Sequence, residues 1–137
     1  MVLSMWRTIP DFPGYEVSDS GQVRSYRRRG HGGLKATPRL LKLQRYGTYY
    51  HVRLTRTDGK IIQISVHVLV LETFVGPRPE GLWALHRDDE PTNNHLDNLY
   101  WGTVGQNLKD AWRNGRYASR VLNVKPGSRR REVDHPG

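Results

Sequence analysis

"WALHRDDEPTNNHLDNLYWGT", residues 83–103, sets a polar loop between two short apolar stretches. The loop carries His86 and His95, the consecutive acids Asp88, Asp89 and Glu90, and the asparagines Asn93, Asn94 and Asn98. Turning the chain needs only turn formers; this segment holds more proton acceptors and hard oxygen donors than a turn requires. "LWALH" (82–86) and "LYWGT" (99–103) read as strands on either side. A helix follows: Thr103 and Gln106 have the spacing of a capping box. Val104, Leu108, Ala111 and Trp112 then keep helical spacing up to a stop at Gly115. The order is therefore strand, loop, strand, helix. If the strands pair antiparallel, His86 at the first strand's end, Asn98 at the loop's end and Asn107 in the helix's first two turns converge on one cleft. Asn107 and Asp110 are three apart and share a helix face.

Upstream, "VHVLVLETFVG" (66–76) reads as a short buried helix, with Val66, Val70 and Phe74 in helical register and Gly76-Pro77 as its stop. Before it, Tyr50, Val52 and Leu54 alternate with polar positions, as do Ile62, Ile64 and Val66, and Asp58-Gly59 between the runs predicts a hairpin. "YEVSDSGQVRSY" (15–26) predicts two strands around a Ser-Asp-Ser-Gly turn. The glycines and Pro38 of residues 27–39 read as a flexible basic loop. Trp6, Trp83, Trp101 and Trp112 read as core. His67 reads as a structural histidine on an apolar helix, and His95 as exposed.

Composition narrows the class. The chain has 137 residues, enough for one domain with a small appendage, and no cysteine, which excludes disulfides and thiolate metal sites and fits a reducing cytoplasm. No stretch approaches a membrane span, and the N-terminus lacks the apolar run of a signal peptide. The formal charge is +9, so a polyanionic partner is expected through counterion release from phosphates. The charge is clustered. Arg24, Arg27, Arg28, Arg29, Lys35, Arg39, Lys42 and Arg45 fall in a stretch without an acid, and Arg113, Arg116 and Arg120 begin a basic tail. The acids of the opening loop run the other way, which a bound cation would explain.

In this order and spacing the chain resembles a small HNH endonuclease of the phage and intron-encoded, homing type. The matching residues are His86, Asp88, Asn93-Asn94, Asn98-Leu99, Trp101, Thr103 and Asn107. His86 and Asn98 are twelve residues apart, Asn98 and Asn107 nine. "WRTIPDFPGYEVSDSGQVRSY" (6–26) is similar to the NUMOD4 module that often precedes such nucleases. "YYHVRLTRTDGKIIQISVHVLVLETFVGP" (49–77) resembles the segment joining the two. The fold class implied is α+β: a NUMOD4-like β module with a basic loop over 1–48, a ββα-metal (His-Me finger) nuclease domain over 49–117, and a basic flexible tail over 118–137.

The resemblance also implies a chemistry. His86 would be the general base that takes a proton from water. Asn98 would hold the imidazole or the loop. Asn107 would give an amide oxygen to one divalent cation, Mg²⁺ or Mn²⁺. Arg24, Arg27, Arg28, Arg29, Lys42, Arg45, Arg113 and Arg116 would bind double-stranded DNA. Products would carry 5′-phosphate and 3′-hydroxyl ends. One such site cuts one strand, so a double-strand break needs a dimer or a second event. Where some relatives place an aspartate before the base histidine, this chain has Leu85. Asp110 by helix geometry, or Asp88, would supply the missing oxygen; otherwise the metal rests on Asn107, water and phosphate, or the site is impaired. The competing reading is a non-catalytic DNA-binding protein with a decayed motif. An RNA-binding reading is weaker, since no aromatic stacking motif is evident.

Overall fold

The computed structural model describes residues 3–28 and 32–113, the last four by backbone alone. Arg29, Arg116, Gly115 and the tail from 118 lie outside the described residues, as do the side chains of Asp110, Trp112 and Arg113.

The architecture is α+β, with three antiparallel sheets. The first contains β1 (Trp6–Thr8), β2 (Tyr15–Ser18), β3 (Val23–Arg27) and β4 (Leu34–Leu40), in that order. The second contains β5 (Gln44–Tyr46), β6 (Tyr49–Thr55) and β7 (Ile61–Ser65), and the third pairs β8 (Trp83–His86) with β9 (Leu99–Gly102). The helices are α1 (Val66–Phe74) and α2 (Val104–Arg113).

Local chemistry accounts for most of these elements. The β6–β7 hairpin turns at Asp58-Gly59, where Gly59 has φ 85° and the Asp58 carboxylate accepts from the Lys60 amide. The alternation seen in the sequence puts Val52, Leu54 and Ile64 inward. Residues 34–40 correct the loop reading of 27–39. They form β4, an edge strand on β3, where Pro38 is tolerated because one side of the ladder needs no donor. The three-residue strands β1 and β5 are too short to show a period.

Helix α1 is the element on which the sheets meet. Val66 through Leu71 are all buried, and the helix packs against β1, β2, β6, β7, β8 and β9. Valine-rich sequence is a poor helix former, so this helix owes its stability to tertiary packing. Its N-cap residue, Ser65, makes no side-chain cap. Its hydroxyl instead lies 3.2 Å from Nε2 of buried His51, whose Nδ1 lies 3.2 Å from the Tyr49 carbonyl. A carbonyl only accepts, so Nδ1 donates and Nε2 accepts from the serine. Trp101 packs against the core, whereas Trp6 is half-buried beneath Arg24, whose guanidinium carbon lies 4.0 Å from the ring centroid.

Near the end of α1, burial pushes the Glu72 carboxyl up to about 7, Arg78 opposing and Asp11 reinforcing the shift. A folded-state pKa above the unfolded value means that ionisation destabilises the fold. Stability is therefore full below about pH 4.5 and falls as pH rises through 7. Glu72→Gln is expected to stabilise by about 1 kcal/mol at pH 8, a figure discounted for partial exposure, and by nothing at pH 4. Urea unfolding at the two pH values checks this.

Candidate active site

The site forms where β8 ends. His86 is the last residue of that strand and is only 6% exposed. Its Nε2 lies 2.9 Å from Oδ1 of Asn94, itself buried. An amide oxygen can only accept, so Nε2 carries the proton and the imidazole lone pair is on Nδ1.

The loop that supplies Asn94 is held by hydrogen bonds around Asn98 and Asp88. The Asn98 Oδ1 accepts from the Asp88 amide at 3.1 Å, and its Nδ2 donates to Asp88 Oδ1 at 2.9 Å and to the Asn93 carbonyl at 2.8 Å. Asn93 Nδ2 donates to Asp88 Oδ2 at 2.7 Å, and the Glu90 amide to Asp88 Oδ1 at 2.9 Å. The Arg87 amide donates to the Asn98 carbonyl at 2.7 Å, closing the loop's neck. Partial burial works against the Asp88 charge. Hydrogen bonds from Asn93, the Glu90 amide and Asn98, with attraction from His86, outweigh it and hold the carboxyl below the ordinary aspartate range. Asp88 thus organises the loop rather than merely solvating it. Asp89 is buried at φ 60°, a left-handed conformation that aspartate tolerates.

Of the two tasks expected of Asn98, holding the imidazole or holding the loop, its hydrogen bonds serve the loop. The residue on the imidazole is Asn94. In the sequence Asn94 stands out only as part of an Asn-Asn pair. The missing signal lies in the first sheet: Gly21, in the β2–β3 turn with φ 90°, packs so closely that an added Cβ would stand 2.8 Å from Asn94 Cβ. Beside it, the Leu96 amide donates to the Asp19 carbonyl at 2.7 Å. The N-terminal sheet therefore buttresses the loop from behind.

Helix α2 begins with the expected capping box: the Thr103 amide donates to Gln106 Oε1 at 2.7 Å, and the Gln106 amide to Thr103 Oγ1 at 3.2 Å. This cap fixes the helix against β8 and buries Asn107 in its first turn. Asp110 follows on the same helix, its side chain outside the described residues. Leu85 is buried at the β9–α2 junction, where a Cβ added to Gly102 would meet Leu85 Cδ1 at 2.9 Å and Gln106 Oε1 at 2.6 Å.

Among the described residues no three His, Asp or Glu side chains group as a metal cage. Buried Asn107, on the helix packed against β8, carries an amide oxygen, a donor type that suits a hard cation of the Mg²⁺ type. Such an ion keeps several waters and takes few protein oxygens beside substrate phosphate.

The basic side chains are spread over two sheets. Arg24 is paired with Glu16 at 2.7 Å, and Arg27 donates to the Pro13 carbonyl at 3.4 Å. Arg28, Lys42 and Arg45 are exposed, Arg45 lying over the Tyr50 ring at 6.0 Å. Arg24 therefore has a committed anionic partner. No helix among the described residues is long and apolar enough to cross a membrane.

Comparison with known proteins agrees with this geometry. Residues 65–109 match the HNH endonuclease family, and residues 5–65 match the NUMOD4 motif. Two uncharacterized HNH endonucleases of Acanthamoeba polyphaga mimivirus are similar. L245 is 27% identical over 114 residues, 83% of this chain and 32% of its own length. L247 is 28% identical over 139 residues, 95% of this chain and 33% of its own length. The chain thus spans about a third of these curated relatives. A solved structure concerned with DNA binding and cleavage by the HNH homing endonuclease I-HmuI matches with a TM-score of 0.64 and 27% identity. The match covers 88% of this chain and 67% of that one.

The buttress is testable. Gly21→Ala adds backbone strain and a clash with Asn94, and is expected to destabilise by about 2 kcal/mol. Gly59→Ala, at φ 85° in open space, carries strain alone and should cost about half as much. NMR shifts at Asn94 and His86 should move in the first variant and not in the second.

Proposed function

We propose, for a chain that joins a NUMOD4 motif to an HNH endonuclease module, that it hydrolyses phosphodiester bonds in double-stranded DNA. The observation that carries this reading is the His86–Asn94 pair. It puts a proton on Nε2, so that in the neutral ring the lone pair is on Nδ1, on a strand end against which the helix bearing Asn107 packs.

Each residue then has a task. His86 takes a proton from the attacking water through Nδ1. Asn94 keeps the proton on Nε2, so that Nδ1 stays basic and correctly turned. Asn98 and Asp88 hold the loop that carries Asn94. Asn107 would hold the divalent cation, Mg²⁺ or Mn²⁺, on which HNH endonucleases generally depend, with Asp110 as a second oxygen. Such an ion supplies charge neutralisation at the scissile phosphate and help for the departing oxygen. Attack of water at phosphorus with loss of the 3′ oxygen gives 5′-phosphate and 3′-hydroxyl ends.

DNA would be held by Arg27, Arg28, Arg29, Lys42, Arg45, Arg113 and Arg116. Arg24 contributes through its exposed edge or only by shaping the sheet. The division at 48 and 117 into a β module, a nuclease domain and a basic tail is part of the same proposal.

Plasmid relaxation tests the reading. We expect nicking with Mg²⁺ or Mn²⁺ that chelator abolishes, and His86→Ala to slow it by about a hundredfold or more while a gel-shift assay retains DNA. Nicking that survives His86→Ala would contradict the assignment. Leu85 favours the second reading, a DNA-binding protein without cleavage; binding with no cut under any divalent ion would establish it. Placing a carboxylate at Leu85 gives a further check. Leu85→Asp should lower stability in chelator, because a charge is buried without a partner. It should also raise Mn²⁺ affinity about tenfold by calorimetry.

A further inference from the structure

Helix α1 spends one of its fully interior positions on a histidine. His67 is 2% exposed and sits between Val66 and Val68, both buried. A polar side chain in such a place is costly against an apolar one unless its surroundings compensate. Its ring does not face the aliphatic core alone. The His67 and His86 ring centroids are 5.0 Å apart with planes inclined by 35°. Tyr49, the first residue of β6, stacks on His67 at 5.0 Å and 18°, and on His86 at 6.1 Å and 29°. Three elements distant in sequence thus bring three flat rings into one roughly parallel cluster.

The torsion that turns an imidazole about its Cβ–Cγ bond is broad and intrinsically soft. The hydrogen bond from Nε2 to Asn94 restrains one point of the His86 ring and does not by itself define the plane of the ring. A flat neighbour packed against the ring does define it. Branched aliphatic side chains of similar volume would fill the space without defining a plane.

We infer that His67 and Tyr49 are positioning residues that set the plane of the His86 imidazole, so that its Nδ1 points along one direction. This rests on the reading of His86 as the base. Neither residue touches the reacting atoms; both act through His86. A base displaced by about 1 Å or turned off line loses about a hundredfold in rate without weakening substrate binding.

The test compares ring-keeping and ring-removing substitutions. His67→Leu and Tyr49→Leu should lower kcat for nicking of an oligonucleotide duplex about a hundredfold, with KM and gel-shift affinity little changed. His67→Phe and Tyr49→Phe, which keep a flat ring, should recover most of that loss. Thermal melts are run beside them, since a packing role alone would make activity follow stability whatever the ring. An independent readout needs no turnover: the His86 ring protons should be shifted upfield by the neighbouring rings in the wild type and in the phenylalanine variants, and lose that shift in the leucine variants. If phenylalanine fails as badly as leucine, or if leucine retains kcat, the inference is overturned. If His86→Ala leaves nicking intact, the functional reading itself fails, while the ring-shift result still decides whether the cluster orders His86.

Discussion

Burial of Val66 through Leu71, the first six residues of a short, valine-rich helix, is the constraint on which the rest of this molecule depends. Helix α1 has no intrinsic reason to form, and its N-cap side chain is engaged elsewhere, with His51. It exists because all three sheets have an apolar face to turn toward it. That requirement places β6, β8 and β9 around one small volume. It brings Tyr49, His67 and His86 within 6.1 Å centroid to centroid, although they come from different parts of the chain. The packing that makes the helix is the packing that assembles the site.

A second layer of order is polar. The loop between β8 and β9 has little apolar content, so it is held by side-chain hydrogen bonds to backbone and to other side chains, with Asp88 and Asn98 at their centre. Loops of this kind usually lie at the surface and move. Here the β2–β3 turn of the first sheet closes on Asn94 and Leu96 from behind, through Gly21 and Asp19. The stretches that match the NUMOD4 motif and the HNH endonuclease family are therefore not separate beads on a string. The first supports the loop from which the second presents its hydrogen bond to His86.

Much of this was legible in the sequence because it is local. The Asp58-Gly59 hairpin, the Thr103–Gln106 capping box and the apolar run of α1 each carry their cause within a few residues. What was misread is non-local. Residues 34–40 look like a loop because Gly and Pro dominate the region, yet β3 offers them an edge to pair with. Asn94 was one of a matching asparagine pair in the sequence, but its contacts with His86 and with a glycine turn some seventy residues earlier are non-local. His67 is the interior histidine of an apolar helix that the sequence suggests, and the third dimension adds which rings it meets. Of the site residues singled out in advance, His86 and Asn98 share one loop neck, and Asn107 stands on the helix that packs against β8. Leu85, the departure from the resembled pattern, is accommodated by packing at the β9–α2 junction.

Proton abstraction by His86 depends on which of its nitrogens carries the proton. Long-range proton–nitrogen NMR of the neutral imidazole reads this directly in the intact protein. The expected result is the tautomer protonated at Nε2, with Nδ1 unprotonated, and a change in the spectrum when Asn94 is replaced by alanine. A predominantly Nδ1-protonated His86 would contradict it, because the nitrogen assigned to accept the proton from water would already be occupied.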